Sequence, residues 1–568
     1  MSEANQGRKH IGRVISGGLR ENLNVRLDVS GEEIQEGAFI VIEGQEWDFH
    51  GLITDIRLEA SDPRYAGDQS EGRIPPHLST LVNRHTLFTE LEVLPALMTA
   101  QPPWGEDERE QWYAEIEAGE RDEPRPLPIK TIPAQKSPVY LAAQQDIALI
   151  FGDPDKQGHF TIGETREQGH PIALNLEKFV KRSSGIFGAT GTGKSFLTRL
   201  LLAGLIDEKS ASVLVLDMHN EYGFDDVDED EKQVRGLKSL FGAKVQVVAL
   251  GAGSTIRENV PDFHLELAVG DIRPADIELL RRELNLRETT AGTLDRLVTS
   301  FGAEQWFEKF MALEHESRRG EDGEPGGDSV EAWAVDAGVN VMAAKGLHSK
   351  LQRVFERDYI KAEPAADGVR QIIESLEAGR HVVLSFGRHD SDLDYLLVSN
   401  LLTRRIRQVW EQRTNAHRSK SEAKPNNLII AVEEAHKLLN REMAAQTTFS
   451  TIARELRKYY VTLLIIDQRP SQIYDEVMSQ LGTRVSGWLG DDEDIRAVLS
   501  GLSGRESLRG MLARLQPKEE VLLLGWGVPM PLPVQSRRYD ETFWKEVGKK
   551  PRAKGKKGEK DLKADLGL

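Results

Sequence analysis

With 568 residues, the chain exceeds what one hydrophobic core accommodates, so several domains are expected. Hydrophobic residues make up 39% and charged residues 29%, an ordinary globular balance, and the absence of cysteine excludes disulfides and thiolate metal sites and suits a reducing cytoplasm. A formal net charge of −18 argues against indiscriminate nucleic-acid binding over the whole surface but leaves room for a locally basic groove or pore.

Residues 1–20 are polar and glycine-containing, which is not the pattern of a secretory leader, and no apolar run is long enough to cross a bilayer. The expected location is cytoplasmic, without a membrane partner. Leu23, Val25, Leu27 and Val29 alternate with Asn24, Arg26 and Asp28, the period of a half-buried strand. Apolar runs at 39–42 and 52–56 follow, with glycine-bearing turns between them, and predict a small N-terminal β-barrel. Polar, proline-rich stretches at 61–76 and 101–133 read as loops or inserts.

From about residue 171 strands alternate with helices, the signature of an α/β fold with a parallel sheet. Short apolar runs at 185–187, 213–216, 382–385, 428–432 and 461–466, with another at 521–524, suit strands covered on both faces. Between the second and third lies a helical stretch over 273–366, in which Ile277, Leu280 and Leu284 have helical spacing and a Gly/Glu/Asp loop intervenes at 319–328. It reads as a helical subdomain inserted into the sheet domain. The expected division is a barrel at 1–140, an α/β core at 141–272 and 367–540, the insertion at 273–366, and a basic tail without fixed structure at 541–568.

The strongest signal is Gly188-Ala189-Thr190-Gly191-Thr192-Gly193-Lys194-Ser195, a full G-x-x-x-x-G-K-[ST] match between an apolar strand and a helical run. Glycines let successive N–H groups turn toward phosphate oxygens, and the helix N-terminus adds a favourable dipole. Lys194 is expected to neutralise the β- and γ-phosphates of ATP, and the Ser195 hydroxyl to ligate Mg²⁺.

Hydrolysis also needs a metal-holding acid and a base. The 428–432 run ends in Glu433-Glu434-Ala435-His436, placing paired acids at a strand's carboxyl end beside the cradle. Glu433 is expected to hold Mg²⁺ through water, and Glu434 to orient and deprotonate the attacking water. The next strand ends in Asp467-Gln468-Arg469-Pro470, where Gln468 is placed to sense the γ-phosphate. Asp217, at the tip of the 213–216 strand with His219, Asn220, Glu221 and Tyr222 after it, either faces the ligand or caps the following helix.

In order along the chain, F-G-A-T-G-T-G-K-S, D-M-H-N-E-Y-G, V-E-E-A-H-K-L and I-A-R-E-L-R-K-Y-Y-V-T-L-L-I-I-D-Q-R-P-S resemble the HerA branch of the HerA/FtsK ATPases. I-G-R-V-I-S and E-G-A-F-I-V-I-E are similar to that family's N-terminal barrel, and the E-E-A-H form of the acid pair is common in this branch. The resemblance implies a RecA-like P-loop core assembled as a homo-hexamer. Such a ring moves duplex DNA through a central pore beside a NurA-type nuclease, or beside a nuclease or sirtuin-like effector in antiviral defence. It also implies two catalytic arginines: Arg457, inserted into a neighbouring subunit's site, and Arg182, upstream of the P-loop strand. Leu456 stands where relatives often carry glycine.

Two other readings use the same core: a ring that remodels or secretes protein, and an ATP-dependent scaffold for an effector. The intact acid pair speaks against a pure scaffold, which has no need of a hydrolytic base. The fourteen histidines form no H-E-x-x-H set, so any cutting of DNA is expected from a second polypeptide.

Overall fold

The computed structural model describes residues 7–60 and 87–547, apart from short breaks at 20, 104, 123, 229–230, 316–317, 320–324, 444–447 and 503. The expected loop at 61–76, most of the basic tail and part of the 319–328 loop lie outside the described residues; the start of that tail departs from expectation, since Glu541–Glu546 is a helix capped by Asp540 with Phe543 buried.

The N-terminal sheet contains β1 (Lys9–Ser16), β2 (Leu23–Leu27), β3 (Phe39–Glu43), β4 (Trp47–Ala60), β5 (Leu87–Ala100), β6 (Leu127–Pro128) and β7 (Pro138–Leu141). The alternation read in β2 is real: Leu23, Val25 and Leu27 are buried against Ile11, Ile40 and Ile53, while Asn24 and Arg26 are only half-buried. The pairings run β2-β1-β7-β3-β4-β5, and β5 pairs again with β2, so the ladder returns on itself. One expectation needs correction. The 101–133 stretch is not all loop, because Glu106–Glu117 forms a helix. Trp112 is its one residue among the buried hydrophobics, so the segment carries little apolar periodicity to betray it.

The second sheet has twelve strands. They are β8 (His159–Glu164), β9 (Pro171–Asn175), β10 (Ser184–Phe187), β11 (Ser212–Asp217), β12 (Val245–Leu250), β13 (Phe263–Leu265), β14 (His381–Ser385), β15 (Leu428–Glu433), β16 (Val461–Asp467), β17 (Thr483–Ser486), β18 (Glu520–Gly525) and β19 (Leu532–Ser536). Their order is β13-β12-β14-β11-β15-β16-β10-β17-β18-β19-β8-β9. Neighbours from β13 to β17 are parallel, and those from β17 to β9 antiparallel. The sheet is therefore mixed rather than wholly parallel. Each apolar run read from residue 171 onward is one of these strands, and β10, β11, β14, β15 and β16 are buried at every residue.

β17 escaped the sequence reading because Thr483, Arg484, Val485 and Ser486 include one apolar residue. Its Arg484 is buried, pushed down to about 10 by desolvation, and its guanidinium donates to the carbonyls of Met478, Val498 and Ser500. A buried charge is tolerable only when so satisfied.

Between β13 and β14 stand helices at Pro274–Leu279, Thr290–Phe301, Trp306–Met311, Val330–Asp336 and Val341–Phe355. Trp306, Phe307 and Phe310 are fully buried among them, and the Trp306 indole donates to Ile272 O at 3.0 Å, tying this group to the sheet domain. The long helix Asp392–Arg418 covers the parallel strands and sends Tyr395 OH to Glu433 O at 2.6 Å.

Candidate nucleotide site

Because β10 to β16 run parallel, their carboxyl ends gather at one edge, the place where open α/β sheets bind ligands. β10 ends at Phe187 and the chain turns through Gly191 (φ 75°) and Gly193 (φ 89°), left-handed conformations that side chains resist. At Gly193 space is also tight: a Cβ would sit 3.2 Å from Lys518 Cα, which would have to give way. The loop is held from outside itself, since Ala189 N donates to Trp488 O at 3.0 Å and Lys518 N to Thr192 O at 3.1 Å. The Lys194–Asp207 helix follows at once, aiming its unpaired N-terminal N–H groups at the loop's hollow.

Register brings in the acids. Leu216 of β11 faces Val432 of β15, so Asp217 and Glu433 lie side by side at the strand tips. Glu433 is 2% exposed, and its carboxylate accepts from His219 N and Tyr222 OH, both at 3.4 Å. Burial first, then Asp217 and Glu221, push its carboxyl well above the usual carboxylate range. Glu434 takes the left-handed backbone (φ 47°), a conformation that costs a non-glycine residue about 1 kcal/mol or more. That turn swings its carboxylate into the cleft, 3.5 Å from Lys194 Nζ. Gln468 then bridges: its Nε2 donates to Glu434 Oε2 at 3.4 Å, and its Oε1 accepts from Thr190 Oγ1 at 2.6 Å.

His436, which the sequence reading passed over, lies 3.5 Å from Glu434 Oε2 and 3.0 Å from Asp467 Oδ2 through the same Nδ1. Burial opposes its charge, yet the hydrogen bond and the charge of Asp467 hold its pKa above the usual value. Asp467 itself, although buried, is held below the carboxylate range by His436 and by the N–H groups of Arg469 and His436. Asp217 has a different task from the one considered. It accepts from the backbone N–H groups of Glu221 and Tyr222 at 2.8 and 2.9 Å, so it caps a turn rather than a helix, and burial raises it to about 6.

The resulting cleft is about 360 Å³ and is lined by the loop, Ser195, Glu433, Glu434 and Gln468. Glu221, one of the polar residues read after the tip of β11, lines it as well, and so does Arg199, which the sequence did not single out. Among the described residues no cluster of histidine and acidic side chains could by itself cage a metal. The donors do suit Mg²⁺ shared with a nucleotide: Ser195 and Glu433 share the cleft, and Glu221 Oε2 is buried without a hydrogen-bond partner. Mg²⁺ typically takes one or two carboxylates plus phosphates and water.

Arg182 and Arg457 are not brought to this cleft. Each precedes the amino end of its strand, β10 or β16, at the opposite edge of the sheet. The Arg182 guanidinium lies 4.7 Å from the Trp526 ring centroid, and Arg457 is exposed.

A phosphate cradle at a parallel-sheet edge, with a lysine and a carboxylate converging on it, defines a P-loop ATPase. Residues 160–406 match the family model "Helicase HerA, central domain". The HerA DNA double-strand break repair helicase of Saccharolobus solfataricus is 25% identical over 398 residues, covering 69% of this chain and 70% of the relative. That of Pyrococcus furiosus is 21% identical, covering 71% and 73%. Among solved structures, VirB4 of Thermoanaerobacter pseudethanolicus aligns at 15% identity and a TM-score of 0.43, over 69% of this chain and 99% of its own. The plasmid coupling protein TrwB with an ATP analogue aligns at 14% identity and a TM-score of 0.41, over 67% and 91%. The central domain is similar to that of the HerA helicases, and the chain is a P-loop ATPase, an ATP-hydrolysing enzyme.

Proposed function

We propose that this chain is an ATP-driven hexameric motor that translocates or unwinds double-stranded DNA. It would act with a NurA-type nuclease or another effector in DNA end processing or anti-phage defence. The single observation that carries the motor reading is the Glu434 carboxylate poised 3.5 Å from Lys194 and hydrogen-bonded to Gln468, an arrangement suited to hydrolysis rather than to storage of nucleotide. The helicase relatives supply the substrate class. Among the described residues no helix is long and apolar enough to cross a membrane.

In this reading the loop 188–195 binds the triphosphate, and Lys194 leaves its contact with Glu434 to meet the β- and γ-phosphates. Ser195 and, through water, Glu433 would hold Mg²⁺, which would neutralise charge on the phosphates. Glu434, freed of the lysine, accepts the proton of the attacking water. Gln468 reports the γ-phosphate to Thr190 and to β16. Arg457 and Arg182, standing at the far edge of the sheet, serve a neighbouring subunit's site, where an arginine accelerates hydrolysis about 10³-fold or more. The self-closing N-terminal ladder is the small barrel at 1–140; the helices at 273–366 are an insertion between the two parts of a RecA-like core, 141–272 and 367–540. The chain ends in a basic tail at 541–568.

The test is ATP turnover with and without linear duplex DNA. Stimulation by DNA supports the motor; turnover indifferent to DNA refutes it.

A further inference from the structure

The amino edge of the second sheet carries one more built feature, around the half-buried Arg182. Register sets it up: Ser184 of β10 faces Thr483 of β17, and Thr483 faces Gly525 of β18. Because β18 runs antiparallel to β17, its last residue arrives at the edge where β10 and β17 begin. Arg182, Gly482 and Trp526 therefore flank a single row across three strands. The backbone pins that row: Gly482 N donates to Ser183 O at 2.7 Å, and Trp526 N donates to Gly482 O at 2.6 Å.

Glycines clear the space around it. A Cβ on Gly482 would sit 2.7 Å from Arg182 Cβ and 2.8 Å from its Cδ, so the arginine stem crosses this strand end only over a glycine. Gly525 has φ 92°, and a Cβ there would run into Gly482 O, while one on Gly527 would run into Thr483 Oγ1. Trp526 is held between these two glycines, 44% exposed, with its ring centroid 4.7 Å from the Arg182 guanidinium carbon. That is within the range at which a guanidinium is attracted to an aromatic face. Among the described residues no carboxylate pairs with Arg182. The ring therefore restrains the side chain and leaves its positive charge uncompensated.

We propose that Trp526 is a positioning residue for ATP hydrolysis. Its ring holds the Arg182 guanidinium at the amino edge for the terminal phosphate of a nucleotide bound by a neighbouring copy. The inference rests on the role in trans proposed for Arg182. An arginine that acts across an interface must surrender rotamer freedom as it engages, and a ring that already holds it removes part of that cost.

The experiment is steady-state ATP turnover of the full chain with linear duplex DNA, beside ATP binding by calorimetry. Trp526→Ala should lower kcat about tenfold, the order of one cation–π contact, with KM and ATP affinity held. Trp526→Leu, which keeps apolar bulk but has no π face, should lose as much at an unchanged Tm. Trp526→Phe should recover most of the loss. Arg182→Ala should lose at least as much as Trp526→Ala, and combining the two should change nothing further, since the ring then has nothing to hold. Wild-type turnover in Trp526→Leu overturns the inference, as does a Trp526→Phe no better than Trp526→Leu. A further loss on top of Arg182→Ala overturns it too, because it marks a merely structural role. If Arg182→Ala loses turnover and the Trp526 variants do not, only this inference fails; if Arg182→Ala turns over as wild type, the role of Arg182 fails with it.

Discussion

Glu434 and Lys194 meet at 3.5 Å across the cleft, so the acid proposed to serve hydrolysis answers the charge of the lysine proposed to bind phosphate. ATP must part them. The exchange makes the general base available only when its substrate is in place.

Glu434→Gln keeps the shape and the hydrogen bond with Gln468 but removes the base. ATP turnover should fall about 10²–10⁴-fold. ATP affinity should be retained or rise slightly, because Lys194 no longer has a carboxylate to leave. Steady-state turnover beside equilibrium nucleotide binding checks both arms.

Gln468 joins Glu434 to Thr190 of the loop by two hydrogen bonds. Gln468→Ala should lower kcat by tenfold or more while ATP affinity changes little, since the residue holds the acid rather than the phosphates. A KM that rises with kcat unchanged contradicts that role.

Arg457 stands at the sheet edge opposite its own cleft. Arg457→Ala subunits and Glu434→Gln subunits, each inactive alone, should therefore restore part of the turnover when mixed in one ring. Absence of any recovery across mixing ratios removes the proposed role in trans.

Arg8 ties the N-terminal ladder to the start of the sheet domain. Its guanidinium pairs with Asp48 of β4 at 3.2 Å and with Asp146 on the Gln144–Phe151 helix. Arg8→Ala leaves two buried carboxylates unpaired and should cost about 3–5 kcal/mol, read as a lower Tm. Burial raises Asp48 to about 6 despite the arginine. With a folded pKa above the unfolded value, the native state binds the extra proton, so this group's effect on stability is most favourable in acid. Stability contributed here declines as pH rises from about 4 to about 6. In Arg8→Ala that dependence should steepen, and lowering the pH from 7 toward 5 should recover part of the lost stability. Thermal melts across that range decide it.

The His436–Asp467 pair runs in the other sense. Asp467, held below its usual value, contributes stability above about pH 4 that is lost as pH falls through its folded pKa, whereas His436, held above its usual value, contributes below about pH 6.5 and loses it as pH rises through its own. Asp467→Asn should remove both limbs and lower Tm most near pH 5, where both partners are charged.

The P-loop and the acid pair were legible because their chemistry is written in contiguous residues: a glycine turn needs its glycines in a row, and strand-tip acids follow their strand directly. The apolar runs gave β10, β11, β14, β15 and β16 for the same reason, since a strand buried on both faces must be apolar throughout. Which strands lie side by side is not local information. That β8 and β9, ahead of the P-loop in sequence, end at the far edge beside β19, and that polar β17 lies inside the sheet, is decided by hydrogen-bond pairing between distant segments. The same holds for the edge that carries Arg182 and Arg457 away from their own cleft. A residue's chemistry can be read from its type, but its neighbours across the fold are fixed only when burial of the whole sheet selects one register.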